Sequence, residues 1–451
     1  MPFSQNQSEG QNIIKILHQL HPELELTNIQ ETIFIQSWQG KTYQEIAKAI
    51  DYDPAYIKDV GHKLWKKLSI LLEKPISKNN FYVILKCYLQ EQPSTEYHQS
   101  GFLSSSEESD HSTDLKATTA HKDLPEVPTF CGYRSELSQL YEWVVNENNH
   151  LVGIFGLGGV GKTTLALKLV EQARDHFEHV LWRSLRDKPT FDELIIDLLN
   201  YFDRQTTINL PQYPDEQVSL LIKYLNQYRC LLVIDDWFTI LCSHELVGNY
   251  EAAYRHYGLL LRRVSKGRHQ SCVLITSRER PAGSAFTDNQ VFPVRSLYLT
   301  GLSRPAGREA LRGFGLSGET SALDQLLECY AGNPYALRVI SKTIKDLFNG
   351  DLVEFLEQGE IIYGDIRSLL DQQFSRLSEA EKLTINYLAC EPNEFSLETL
   401  RERIYALKSH PPLLEIIESL YNRSFVNKQG TGFRLHPLLQ AYIVSQNPYQ
   451  Y

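Results

Sequence analysis

Several absences narrow this 451-residue sequence before any motif is read. No CxxC pair occurs among the seven cysteines (Cys87, Cys131, Cys230, Cys242, Cys272, Cys329 and Cys390), so neither a zinc site nor a disulfide framework is indicated; most read as small buried apolar residues. No apolar run approaches the roughly 20 residues that span a bilayer, and "MPFSQNQSEG" lacks a basic-then-apolar leader. The chain therefore reads as cytoplasmic, with no membrane partner. Nor is there an excess of positive charge: 45 Lys+Arg stand against 55 Asp+Glu, a formal net charge of -10. That excludes a general coat for nucleic acid and confines any such contact to a local patch. No internal repeat is visible.

What is present falls into blocks. Residues 1–24 read as a flexible N-terminus, 25–92 as a small all-helical unit, and 93–127 as a polar, acidic linker with too little apolar periodicity to fold alone. From 128 to 296 short apolar runs alternate with amphipathic helices, as a parallel sheet requires: "HLVGIF", "HVLWRSL", "CLLVIDD", "SCVLITS" and "QVFPVRSL". Beyond about Leu302 the pattern is helical, apart from "SFVNKQGTGFRLH", which reads as a two-strand wing around Gly430 and Gly432.

After the first run, Gly156 to Thr163 has phosphate-loop spacing. Glycines let the backbone curl so that successive N–H groups face phosphate oxygens, and the helix opening near Lys162 aims its positive end there. Lys162 is expected to reach the β and γ phosphates and the Thr163 hydroxyl to bind Mg2+, with Gly156, Gly158, Gly159, Val160, Gly161 and Thr164 completing the cradle. "CLLVIDDW" then supplies two acids at the end of an apolar strand: Asp235 to hold the metal and Asp236 to orient the attacking water. "SCVLITSR" sets Arg278 at the carboxyl edge of the sheet, where it would sense the γ-phosphate. Lys162, Asp236 and Arg278 are thus the candidate catalytic residues, and Thr163 and Asp235 the candidate metal ligands.

The ordered series "CGYRSEL", "GLGGVGKTT", "LLVIDDW", "ITSR", "GNPYAL" and "FRLHPLL" resembles the NB-ARC branch of the STAND signalling ATPases, over about Pro128 to Tyr451. The resemblance implies a multidomain α/β fold: a P-loop NTPase parallel sheet, a small helical domain (297–352) and a winged-helix domain (353–451), preceded by the helical N-terminal unit. It also implies ATP/ADP with Mg2+ as ligands, a closed state with ADP, self-association with ATP and slow hydrolysis as reset. By carry-over, Cys131 and Arg134 cap the base side, Pro334 packs on adenine and His436 touches the β-phosphate of ADP. This chain departs in having Tyr133 after Gly132, with Arg134 one place later, and Pro437 after His436. Family members usually carry a repeat sensor after the winged helix. This sequence ends fifteen residues past His436, and three readings stay open: a sensor on another chain, sensing by the linker or N-terminal unit, or a shortened relative.

The N-terminal unit reads as three helices. Thr42 and Glu45 form a capping box, and Pro54 opens the last helix after a turn, a helix-turn-helix-like spacing. Ile57, Val60, Gly61, Leu64 and Leu68 share its core face, leaving Tyr56, Lys58, Asp59, His62, Lys63, Lys66 and Lys67 outside. Lys41 to Lys86 holds nine lysines against five acids. DNA and an effector protein both remain open as its target, and the absence of arginine from the last helix argues against strong guanine readout. The whole chain is read as a nucleotide-operated switch with this unit as output. The alternative is an AAA-type DNA-associated ATPase or loader, for which Arg304, Arg308 and Arg312 are the candidate second-sensor residues. A metabolic kinase is disfavoured, since nothing beyond the nucleotide set suggests an acceptor pocket.

Overall fold

The computed structural model describes residues 26–38, 41–50, 52–72, 132–202, 210–283, 293–359, 361–390, 395–403, 412–430 and 432–446, with positions 13, 24, 76, 81, 85 and 286. The chain forms two compact units, Met1–Ser112 and Thr113–Tyr451. The expected linker 93–127, nearly all of the expected flexible segment 1–24, Cys87 and Cys131 lie outside the described residues.

The smaller unit contains helices α1 (Asn28–Trp38), α2 (Tyr43–Ile50) and α3 (Pro54–Leu71). The capping box at the start of α2 is formed as expected. The Thr42 N–H donates to Glu45 Oε2 at 2.7 Å and the Glu45 N–H to Thr42 Oγ1 at 3.3 Å. Ile57, Val60, Leu64 and Leu68 are buried against Ile33, Phe34 and Ile46, while Lys58, Lys63, Lys66 and Lys67 are exposed. Gly61 is required by packing: a Cβ there would lie 2.7 Å from the Tyr43 ring, whose hydroxyl accepts the Trp65 Nε1–H at 2.7 Å.

In the larger unit, α4 (Arg134–Tyr141) leads to β1 (Leu151–Gly156), α5 (Lys162–Ala173), β2 (His179–Ser184), α6 (Phe191–Phe202), α7 (Pro214–Gln227), β3 (Cys230–Asp235), α8 (Arg255–Lys266), β4 (Cys272–Ser277) and β5 (Val294–Leu299). The five strands form one parallel sheet in the order β2-β3-β4-β1-β5. Helices cover both faces, so β1, β3 and β4 are buried throughout. Alternate residues of β3 serve opposite cores, Leu231 and Val233 on one side, Leu232 and Ile234 on the other. Of the last expected run, positions 290–292 lie outside the described residues. Pro293 has no N–H to give a ladder, and β5 begins after it and extends to Leu299, past the expected domain edge at 296. Cys230 and Cys272 are buried, but Cys390 is exposed, contrary to the general expectation for the cysteines.

Among the described residues, nine helices and a hairpin follow: α9 (Arg304–Gly313), α10 (Thr320–Cys329), α11 (Pro334–Leu347), α12 (Leu352–Glu357), α13 (Gly364–Phe374), α14 (Glu379–Ala389), α15 (Leu397–Arg403), α16 (Leu413–Asn422), the antiparallel pair β6 (Val426–Gln429) and β7 (Gly432–Leu435), and α17 (Pro437–Gln446). The hairpin sits where the glycine pattern places it. A buried charge network joins these helices to the sheet. Glu279, just beyond β4, accepts from Arg376 Nε at 2.6 Å and lies 2.6 Å from Arg423 Nη1, while Arg423 Nε donates to Glu381 Oε1 at 2.9 Å. Arg376 also donates to the carbonyls of Phe238 and Leu241, at 3.2 and 3.0 Å. The Ser419 hydroxyl bridges Glu381 to the Val247 N–H, at 2.6 and 2.7 Å. Among the described residues no helix is long and apolar enough to cross a membrane.

Candidate nucleotide-binding site

The loop between β1 and α5 needs glycine at two places for backbone reasons. Gly159 (φ 78°) and Gly161 (φ 99°) adopt left-handed conformations, and a Cβ on Gly159 would meet Tyr335 Cβ at 2.8 Å. Past Gly161 the chain enters α5, so the loop's N–H groups and the positive end of the helix meet at one place. Lys162 folds back over the loop, donating from Nζ to the carbonyls of Gly156 and Leu157, both at 2.9 Å. Burial pushes its ammonium down to about 7, and nearby Arg278 adds to the shift against the pull of Asp235 and Asp236.

Asp235 ends β3 directly across from α5. Its carboxylate accepts the Thr163 hydroxyl at 3.0 Å (Oδ1) and 3.2 Å (Oδ2), and also accepts the Thr276 hydroxyl from β4. Burial raises its pKa above the ordinary carboxylate value, as does neighbouring Asp236, while the two hydroxyls and Lys162 oppose the rise. A hydroxyl and a carboxylate held together beside the loop are the hard-oxygen donor set that suits Mg2+. Asp236 is left-handed (φ 59°), which turns it off the strand; its N–H donates to Thr276 Oγ1 at 3.3 Å. Its Oδ2 accepts from Arg186 Nη2 at 3.1 Å. Arg278 lies over the Phe238 ring at 4.4 Å, a stacked cation that retains its charge.

These groups border a cavity of about 420 Å³. One wall comes from the loop and sheet edge: Gly158, Gly159, Gly161, Lys162, Thr163, Thr164, Asp236 and Arg278. The opposite wall comes from later helices, including Phe314, Pro334, Tyr335 and Arg338. The structure therefore brings most of the expected residues together. Gly156 and Val160 shape the loop from behind: their carbonyls bind Lys162 and the Tyr133 hydroxyl, the latter at 2.8 Å.

Besides Gly156, Val160 and Asp235, which stand behind the lining, two expected residues do not line the cavity. Arg134 is exposed and lies 3.9 Å from Glu309, because left-handed Tyr133 (φ 52°) takes the inward position and turns the next residue out onto α4. His436 is buried beside Thr300 and faces a neighbouring cavity of about 390 Å³ that Leu157 and Tyr421 also border. Burial pushes its imidazole down to about 4, opposed by a backbone hydrogen bond at Thr300. Cys131 lies outside the described residues. Arg304 and Arg308 are engaged with Glu328 and Asp324 and do not border the cavity.

Several site residues escape the sequence reading, Phe314 and Tyr335 of the helical wall among them. Tyr133 was seen only as a departure from pattern. Arg186 follows β2 at the same carboxyl edge that drew attention to Arg278, so the rule that ligands sit there would have found it. Arg338 lies one helical turn beyond Pro334 on α11. Gln373, from α13, accepts the Gly158 N–H at 2.8 Å and carried no sequence signal.

Residues 134–298 match the NB-ARC domain, and residues 8–88 match the N-terminal HTH of vWA-MoxR associated proteins. A WD repeat-containing protein of Nostoc sp. is 37% identical over 347 residues, 73% of this chain and 27% of its own length. A disease resistance-like protein of Arabidopsis thaliana is 24% identical over 326 residues, 68% of this chain and 24% of its own. The chain thus spans about a quarter of the length of these curated relatives. Similar solved structures include a STAND protein with a tetratricopeptide repeat sensor from Pyrococcus horikoshii (19% identity, TM-score 0.36, 71% of this chain and 43% of that one). A Walker-type ATPase of Pyrococcus abyssi matches with 13% identity and TM-score 0.45, over 70% of this chain and 96% of that one.

Proposed function

From the premise that this chain carries an NB-ARC domain behind an N-terminal helix-turn-helix domain, we propose that it is an ATP/ADP-operated switch with slow hydrolysis, closed with ADP and self-associating with ATP. The observation that carries the reading is the cavity's double wall. Loop and sheet edge form one side, and α9 and α11 form the other, so a nucleotide bound between them has contacts that exist only while those helices are seated. A ligand shifts such an equilibrium only through its different affinity for the two states, and contacts from both walls supply that difference.

Each residue then has a role. The Gly159 to Thr164 backbone and Lys162 bind the phosphates, with Gly158 lending the loop its shape, and Pro334 and Tyr335 flank the base. Thr163 and Asp235 would hold Mg2+, which when bound neutralises phosphate charge. Asp236 orients the attacking water, and Arg278 stabilises charge on the γ-phosphate. Arg186 donates to one Asp236 oxygen and so holds the orientation of that carboxylate. His436 enters through Thr300 and Leu157, neighbours of the phosphate loop, and its replacement is expected to speed ADP release.

The N-terminal unit is the output. Its exposed lysines on α3 suit either DNA phosphates or an acidic face of an effector protein. Arg338 favours a second reading, a steadily turning-over loader, because it brings a cation from the helical wall to the border of the same cavity, 5.7 Å from the Tyr335 ring centroid. Denaturing the freshly purified protein and identifying released nucleotide separates the two. Retained ADP with a turnover far below about 1 per second, the low end for ordinary enzymes, is expected of the switch. An empty site with brisk ATP turnover is expected of the loader.

A further inference from the structure

The phosphate loop is held by groups that belong neither to its strand nor to its helix. Gly158 is gripped on both sides of its Cα: its N–H donates to Gln373 Oε1 at 2.8 Å, and its carbonyl accepts from Asn333 Nδ2 at 3.0 Å. The next carbonyl, of Gly159, accepts the Tyr335 N–H at 3.2 Å. Gln373 is on α13, while Asn333 caps α11 by accepting the Ala336 N–H at 3.2 Å. Gln373 and Asn333 are both nearly fully buried.

The amide of Gln373 is itself oriented. Nε2 donates to the Leu369 carbonyl at 3.2 Å, one turn back on α13, which leaves Oε1 facing the loop. Close approach explains Gly158 as well, since a Cβ there would lie 2.9 Å from Leu369 Cδ1 and 3.0 Å from Gln373 Nε2. Three residues further on, Arg376 binds Glu279, the neighbour of Arg278. One short segment at the end of α13 therefore reaches both the phosphate loop and the strand end that carries the cation facing the cavity.

We propose that Gln373 is a positioning residue through which the seat of the C-terminal helices sets the shape of the phosphate loop, and so biases the site between ADP and ATP. The inference rests on the switch reading above. If α13 leaves the loop, the buried Gly158 N–H loses its partner. A loop shape that depends on that bond is therefore available only in the seated state. Removing the acceptor should weaken the nucleotide that favours the seated state, ADP, and leave ATP untouched.

The test compares the full-length protein with Gln373→Leu and Gln373→Glu, measuring affinity for ADP and for a non-hydrolysable ATP analogue with Mg2+, together with the melting temperature. Gln373→Leu should weaken ADP by about five- to thirtyfold, the effect of one unsatisfied buried N–H, and leave the analogue within about twofold. Gln373→Glu keeps an acceptor for the Gly158 N–H but loses the donor to Leu369 and adds a buried charge, so it should restore the preference for ADP over the analogue only in part. A purely structural role would lower the melting temperature while leaving the ADP-to-ATP ratio unchanged, and that result in both variants overturns the inference. A wild-type protein that binds neither nucleotide overturns the switch reading itself, and the inference with it.

Discussion

Replacing Glu279 tests the energetic account of how the helices are held on the sheet. Its carboxylate serves two guanidiniums at 2.6 Å, and the three side chains are 5% (Glu279), 16% (Arg376) and 2% (Arg423) exposed. Truncating one partner of a buried pair usually costs about 3–5 kcal/mol, because the remaining charge stays buried without compensation. Here both arginines retain other acceptors. Arg423 keeps Glu381, and Arg376 keeps the Phe238 and Leu241 carbonyls, so Glu279→Ala should fall at the low end, about 3 kcal/mol. That is on the order of a hundredfold in the unfolding constant. The control is Glu251→Ala, which removes an equally short but exposed pair with Lys188 (2.7 Å, 37% and 42% exposed) and should cost less than about 1 kcal/mol. Urea unfolding of the larger unit, with midpoint and slope recorded for both variants, gives the comparison. If the two substitutions differ by less than about 1 kcal/mol, the network is not what fixes the helices, and the argument from burial fails.

Other outcomes follow from the site. Lys162→Ala should abolish nucleotide binding measured by equilibrium dialysis; retained affinity would remove the loop from the mechanism. Asp236→Ala should bind ATP with near wild-type affinity yet lose most phosphate release, by a factor of about a hundred or more, and a normal rate would exclude it as the water-orienting group. His436 supplies a pH signature. Its folded pKa of about 4 lies below its ordinary 6.5, so the unfolded chain binds the proton first as pH falls. The stability it confers is fully present above about pH 6.5 and is lost towards pH 4, up to about 3 kcal/mol. His436→Gln should flatten that part of the stability curve, although His150, also pushed down to about 4 by burial and by His269, leaves a residue of it. An unchanged acid limb would place the titration elsewhere.

The sheet was legible because its strands are unbroken apolar runs with helices between them, a pattern with little other use in a folded domain. The loop and Asp235 were legible because their chemistry fixes residue type and spacing together. Legibility failed where position depended on tertiary contact. Arg134 was carried over by resemblance, but the left-handed turn at Tyr133 exchanges which side chain faces inward. Gln373 lies 215 residues from the glycine it holds and is a neutral side chain on an ordinary amphipathic helix. The buried charges Glu279, Glu381 and Arg423 read as surface residues in a sequence, where charge is most often solvated, and only the packed helices reveal their partners. In the smaller unit the opposite held: the capping box and the apolar face of α3 are local signals, and both form as read.

We propose that nucleotide identity decides whether the helices stay seated and the chain stays alone. The most direct test is the solution mass of the full-length protein by light scattering, first with ADP and then with a non-hydrolysable ATP analogue and Mg2+. The account predicts a monomer that carries ADP through gel filtration and a larger assembly with the analogue. The same mass in both, with ADP lost on the column, would contradict it.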